Sequence, residues 1–193
     1  LAGVNSRSSG LSALDVGAEG IIMDVLELID RAKSVGVSAD LIRDNDCVFG
    51  YEASMSYHFW VDDGQYFFGS DERATTYSSN MWTSSPDIAS LALIELVGSL
   101  YRMAAGYRQI NMEYGWHSFP VGWTIQRVVG SSSMRVASDD QPGWSYETHR
   151  LDQYLHIPSL TVYPTKTVLD MFFAPEAPPL GTLDRVHNFY ARF

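Results

Sequence analysis

Five histidines, one cysteine and three adjacent carboxylate pairs are the side chains of this sequence best suited to chemistry. Histidine with carboxylate is the usual zinc-binding material, and two histidines one helical turn apart beside a glutamate would make a hydrolytic zinc site. His58, His117, His149, His156 and His187 show no such spacing, and there is neither a cysteine pair nor a calcium-loop pattern. No metal and no other cofactor is expected. Cys47 stands beside Val48 and Phe49 in an apolar run and reads as a buried structural thiol rather than a nucleophile. The serine-nucleophile, dinucleotide and phosphate-loop glycine patterns are absent. Asp62-Asp63, Asp71-Glu72 and Asp139-Asp140 fall in turns or loops, where solvated acids are the ordinary outcome. Glu95 is the stronger acid–base candidate because it interrupts an apolar helix. Ser99 and Arg102 follow it at one-turn intervals, however, so a polar stripe is the better explanation.

The elements that must position these groups are marked by periodicity and capping. Ile22, Val25, Leu26, Ile29 and Ala32 recur at helical spacing, and Gly36 stands as a stop. Apolar runs at 47–52, 57–61 and 65–69 read as strands, the last two joined by Asp63-Gly64. That turn pairs Val61 with Tyr66 and Phe59 with Phe68. Ser85-Pro86-Asp87 opens a helix that runs to about Ala105 before Gly106 and is apolar around most of its circumference, which makes it the central buried helix. Strands are expected at 121–129, 144–151 and 160–163, with 130–143 as a Ser/Gly/Asp-rich connection. Residues 168–173 fit a strand or a helical turn, and a short helix is expected around 183–190 after Pro175, Pro178 and Pro179. The fold class is α+β: an antiparallel sheet of about five or more strands packed on the central helix, with the N-terminal helix on its flank.

Residues 1–22 are rich in Ser, Gly and Ala and read as a flexible leader, leaving one domain over 23–193. The longest apolar runs, such as 91–96, stop well short of the ~20 residues a membrane span needs, and a lone cysteine fits a reducing compartment. The net charge of −10 argues against nucleic acid and anionic lipid as partners, since both reward basic surface. It favours a partner with a basic face.

Two loops carry residue types typical of interfaces. After the central helix, 106–116 mixes Tyr107, Arg108, Gln109, Tyr114 and Trp116 with Ile110 and Met112, although these apolar residues would equally continue an alternating strand. The segment 131–143 contains Asp139 and Asp140 and is long enough to protrude. Binding another protein, rather than catalysis, is the expected activity.

From Met23 through Val129 the order of features resembles bacterial toxin-immunity proteins, and among them the mycobacterial immunity factor for tuberculosis necrotizing toxin. These features are the amphipathic helix, the Tyr/Phe/Trp hairpin around Asp63-Gly64, the helix start Ser84-Ser85-Pro86-Asp87-Ile88-Ala89 and the segment Tyr107-Arg108-Gln109-Ile110. The resemblance implies a non-enzymatic cytoplasmic antitoxin that binds a secreted NAD glycohydrolase domain, one to one, and blocks its NAD site. The resemblance fixes no interface residues; from their types and loop positions, Tyr107, Arg108, Gln109, Tyr114 and Trp116 are expected to anchor the toxin, with Asp139 and Asp140 mimicking substrate charge. The alternatives are a small-molecule-binding or hydrolytic domain with Glu95 in its pocket, and a secretion chaperone that holds an effector without inhibiting it.

Overall fold

The structure is a computed structural model that describes residues 25–43, 46–50, 55–71, 78–110, 119–177, 180 and 182–183. The proposed leader and the greater part of the expected C-terminal helix lie outside these residues. In chain order the elements are α1 (Val25–Ser34), β1 (Ser38–Arg43), β2 (Asp46–Gly50), β3 (Ser56–Asp62), β4 (Gln65–Asp71), β5 (Ser78–Thr83), α2 (Pro86–Ala105), β6 (Gln109–Ile110), β7 (Trp123–Arg127), β8 (Met134–Ser138), β9 (Ser145–Thr148), α3 (Leu151–Tyr154), α4 (Ile157–Leu160), α5 (Thr165–Phe173) and β10 (Thr182–Leu183).

Eight strands form one antiparallel sheet in the order β1-β2-β3-β4-β5-β9-β8-β7, and β6 and β10 pair separately. Alternation along each strand sends one set of side chains toward α2. Cys47, Phe59, Phe68, Met81 and Thr148 stand opposite one another in a single row across five strands, all buried. Fully burying a side chain the size of Phe59 or Phe68 contributes roughly 1.5–3 kcal/mol. The β3–β4 hairpin has the anticipated register, Val61 with Tyr66 and Phe59 with Phe68. Its turn has φ of 46° at Asp63 and 72° at Gly64, the doubly left-handed geometry that matches strand twist.

α2 is built as its sequence indicates. The Ser85 hydroxyl accepts from the Ile88 N–H, Pro86 occupies the first turn, and left-handed Gly106 closes the C-terminus. It has the length and apolar character of a membrane span, yet most of it is buried inside the fold. α1 buries Val25, Leu28, Ile29 and Ala32 against α2 and β1. α5 crosses α2 so closely that a Cβ placed on Gly98 would lie 2.6 Å from Phe172 Cβ.

Several expectations are corrected. Residues 160–163 are the end of α4 and a turn rather than a strand. Pro158 sits in the first turn of α4, and among the described residues Thr161, Val162 and Tyr163 pair with no strand. The choice left open for 168–173 resolves to helix, because Val168, Met171 and Phe172 fall on one face against α2. Residues 130–143 are not a single loop: they contain β8, whose Val136 is buried opposite Tyr146. Where the C-terminal helix was expected to begin, Thr182 and Leu183 pair with β6.

Candidate functional site

The loop after α2 is held from beneath by Arg102. Sequence periodicity put this residue on a polar stripe with Glu95 and Ser99, but it is 0% exposed. Its Nε donates to the Arg108 carbonyl at 2.7 Å. Nη1 donates to Met171 O and Phe172 O at 3.2 and 3.3 Å and to Ala174 O, and Nη2 to Pro175 O at 3.0 Å. Met171 O and Phe172 O, among the last carbonyls of α5, lack N–H donors within their own helix and sit at its negative end. A guanidinium, planar and rich in donors, satisfies several at once. Burial pushes the Arg102 pKa down, while nearby Glu176 and Tyr107 pull it up. One side chain thus ties α2, the following loop and the end of α5 together. A cation in the last turn of an otherwise apolar helix was the sequence signal for it.

Tyr107 packs inward, edge-on to Tyr101 at 6.0 Å, with the Arg102 guanidinium 5.8 Å from its ring centre. Arg108 is exposed, and Gln109 enters the short β6–β10 pair half-buried. Tyr114 and Trp116 lie outside the described residues. Asp139 and Asp140 are exposed on the β8–β9 turn. That turn is fixed by Asp139 N–H donating to Gly122 O at 2.7 Å and by the Trp144 indole donating to Asp87 at 3.2 Å. Asp87 is in the first turn of α2, whereas Tyr107 follows its last. Twenty residues of helix span ~30 Å. The structure therefore does not bring the described members of the two candidate sets together; they sit at opposite ends of α2.

Glu95, the alternative candidate, is mid-helix with a side chain 20% exposed. Its Oε1 accepts from the Ser99 hydroxyl at 3.4 Å, and its Oε2 lies 3.3 Å from Nε2 of buried His156. Burial and then the Glu95 charge raise the pKa of Tyr57, and the same two causes lead for Tyr154. Glu95 thus faces groups from β3, α3 and the start of α4. A second histidine–carboxylate contact, His58 Nε2 to Asp71 Oδ2 at 3.4 Å, bridges the β3–β4 hairpin. Cys47 is buried in β2 and its thiol pKa is pushed up to about 12, mainly by desolvation. Among the described residues, no three His, Cys, Asp or Glu side chains converge to hold a metal.

No family model and no curated protein matches the chain. In fold the chain is similar to Rv3902c from M. tuberculosis, with a TM-score of 0.65 over 81% of this chain and 92% of that one, at 15% sequence identity. The likeness establishes a shared α+β fold with a mycobacterial protein.

Proposed function

We propose that this chain is an immunity protein: a cytoplasmic antitoxin that binds a cognate secreted NAD glycohydrolase domain, one to one, and covers its NAD site. The observation that carries this reading is the separation of polar groups between interior and surface. Inside, Glu95 contacts Ser99 and His156, and Arg102 is engaged by five carbonyls. At the surface, acids and an arginine stand on turns fixed by hydrogen bonds, the arrangement of a binding protein. The net charge of −10 suits a partner whose cleft must attract a pyrophosphate. The order of sequence features from Met23 through Val129, which resembles that of mycobacterial immunity factors, supports the same reading.

The test takes a secreted NAD glycohydrolase domain from the organism that encodes this chain. Gel filtration of an equimolar mixture should give a co-eluting complex, and separate elution of the two proteins rejects the proposal. A second reading treats Glu95 and His156, 3.3 Å apart, as an acid–base pair. It requires turnover of a small substrate that Glu95→Gln abolishes, whereas the immunity reading expects Glu95→Gln to inhibit the toxin as well as the parent protein does.

A further inference from the structure

Resting on the immunity reading, we infer that the part of the molecule entering the toxin's nucleotide cleft is the end of the sheet beside the N-terminus of α2: an apolar tip at Val121 ringed by carboxylates. The loop at the other end of that helix stays outside the cleft.

Strand register places four segments at this end. The β3–β4 turn carries Asp62 and Asp63, and Tyr66 just beyond it pairs with Thr83, which leads into α2. The Thr83 hydroxyl donates to Ser145 O, so the β8–β9 turn lies alongside. Trp123 pairs with Ser138, which adds the turn before β7. Between β4 and β8 there are three strand spacings, roughly 14 Å. The surface is thus well within the extent of a standard interface of ~800 Å² per partner.

Two independent features of this end point to a protein partner. The first is exposed apolar surface. Val121 is 102% exposed at its turn, Pro142 is exposed on the β8–β9 turn, and Phe119 and Trp144, on the same two turns, are half-buried. A wholly exposed valine flanked by aromatic side chains and rimmed by polar groups has the anatomy of an interface core.

The second feature is charge. Residues 61–66, 83–88, 119–124 and 138–145 hold five aspartates and no Lys, Arg or His, and Asp62, Asp63, Asp139 and Asp140 are exposed. Among the described residues, the neighbouring β1–β2 turn toward the sheet edge adds a cation, Arg43, together with buried Asp46. The opposite end of α2 presents exposed Arg108. A cleft that accepts pyrophosphate is cationic, so it meets uniformly opposite charge at the Val121 end and a mixed surface, exposed Arg108 with exposed Glu176 near Arg102, at the other. The carboxylates then stand where the nucleotide phosphates would, with exposed Val121 among them.

The experiment measures association of the intact protein with the same toxin domain at two salt concentrations. One variant replaces Asp62, Asp63, Asp139 and Asp140 by Asn, which tolerates the left-handed backbone at Asp63. A control replaces Asp30, Asp40 and Asp152 by Asn and Glu176 by Gln, so both variants go from −10 to −6. Val121→Lys and Arg108→Ala complete the set, and melting curves check that each folds. The four-Asn variant should lose at least roughly tenfold in association rate at low salt and most of its salt dependence. Val121→Lys should weaken binding at least tenfold, while the control and Arg108→Ala stay within about threefold. If Arg108→Ala weakens a complex that the four-Asn variant leaves intact, the docking end is wrong and the immunity reading stands. Equal losses in the control and the four-Asn variant also overturn it, because net charge alone then explains the effect. If the parent protein fails to bind, both the docking end and the immunity reading fall.

Discussion

Replacing Arg102 by methionine removes the guanidinium while keeping an unbranched side chain of similar reach. The parent residue is fully buried and donates to the carbonyls of Arg108, Met171, Phe172, Ala174 and Pro175. Hydrogen bonds to a charged group contribute about 1.5–3 kcal/mol each. Their sum greatly overstates the loss, because burying the cation costs several kcal/mol that the variant no longer bears. What remains is the cost of leaving buried carbonyls without donors, so the net loss should be about 3–5 kcal/mol. For a chain of this size that is a fall in Tm of roughly 6–20 °C. Urea denaturation followed by circular dichroism measures the free energy, and amide exchange localises it, with protection falling first around Gln109 and the end of α5. Arg102→Lys restores the charge but not the planar set of donors, and should recover less than half of the loss. If Arg102→Met unfolds within about 1 kcal/mol of the parent, the guanidinium is not the tie between α2, its loop and α5.

Gly98→Ala would ordinarily gain up to ~1 kcal/mol in a helix. Here the new methyl meets Phe172 at 2.6 Å, so the variant should instead lose about 1–3 kcal/mol in the same denaturation assay. Cys47, buried with its pKa pushed up to about 12, should not react with a thiol reagent at pH 8 in the native protein and should react fully in denaturant. Tyr107→Ala tests the loop reading: a hot spot there costs roughly 2 kcal/mol or more of toxin affinity. The docking end inferred above predicts instead a loss of thermal stability with little change in affinity, because the ring packs on Tyr101 and Arg102.

The parts of the fold that could be read from sequence are those in which a local signal and the tertiary outcome agree. Ser85 and Gly106 bound α2 because a capping hydroxyl and a left-handed glycine act within one turn of chain. Asp63-Gly64 sets the hairpin register for the same local reason. β1 and β5 were not distinguished, since β1 buries only Ala39 and β5 opens with Ser78, Ser79 and Asn80. Their strand character comes from neighbours that pair with them, which periodicity does not record. The polar stripe misplaces Arg102 for a related reason: four of its five partner carbonyls lie about seventy residues away. The aspartate turns were visible one by one as ordinary solvated turns. That Asp62-Asp63 and Asp139-Asp140 share one end of the sheet depends on β9 and β8 following β5 in space, out of chain order.

The most direct test of the account is NAD hydrolysis by that NAD glycohydrolase domain, titrated with this protein. The account predicts a linear fall in activity that reaches zero at one molar equivalent. A toxin that remains fully active beyond that point, whether free or within a stable complex, contradicts it.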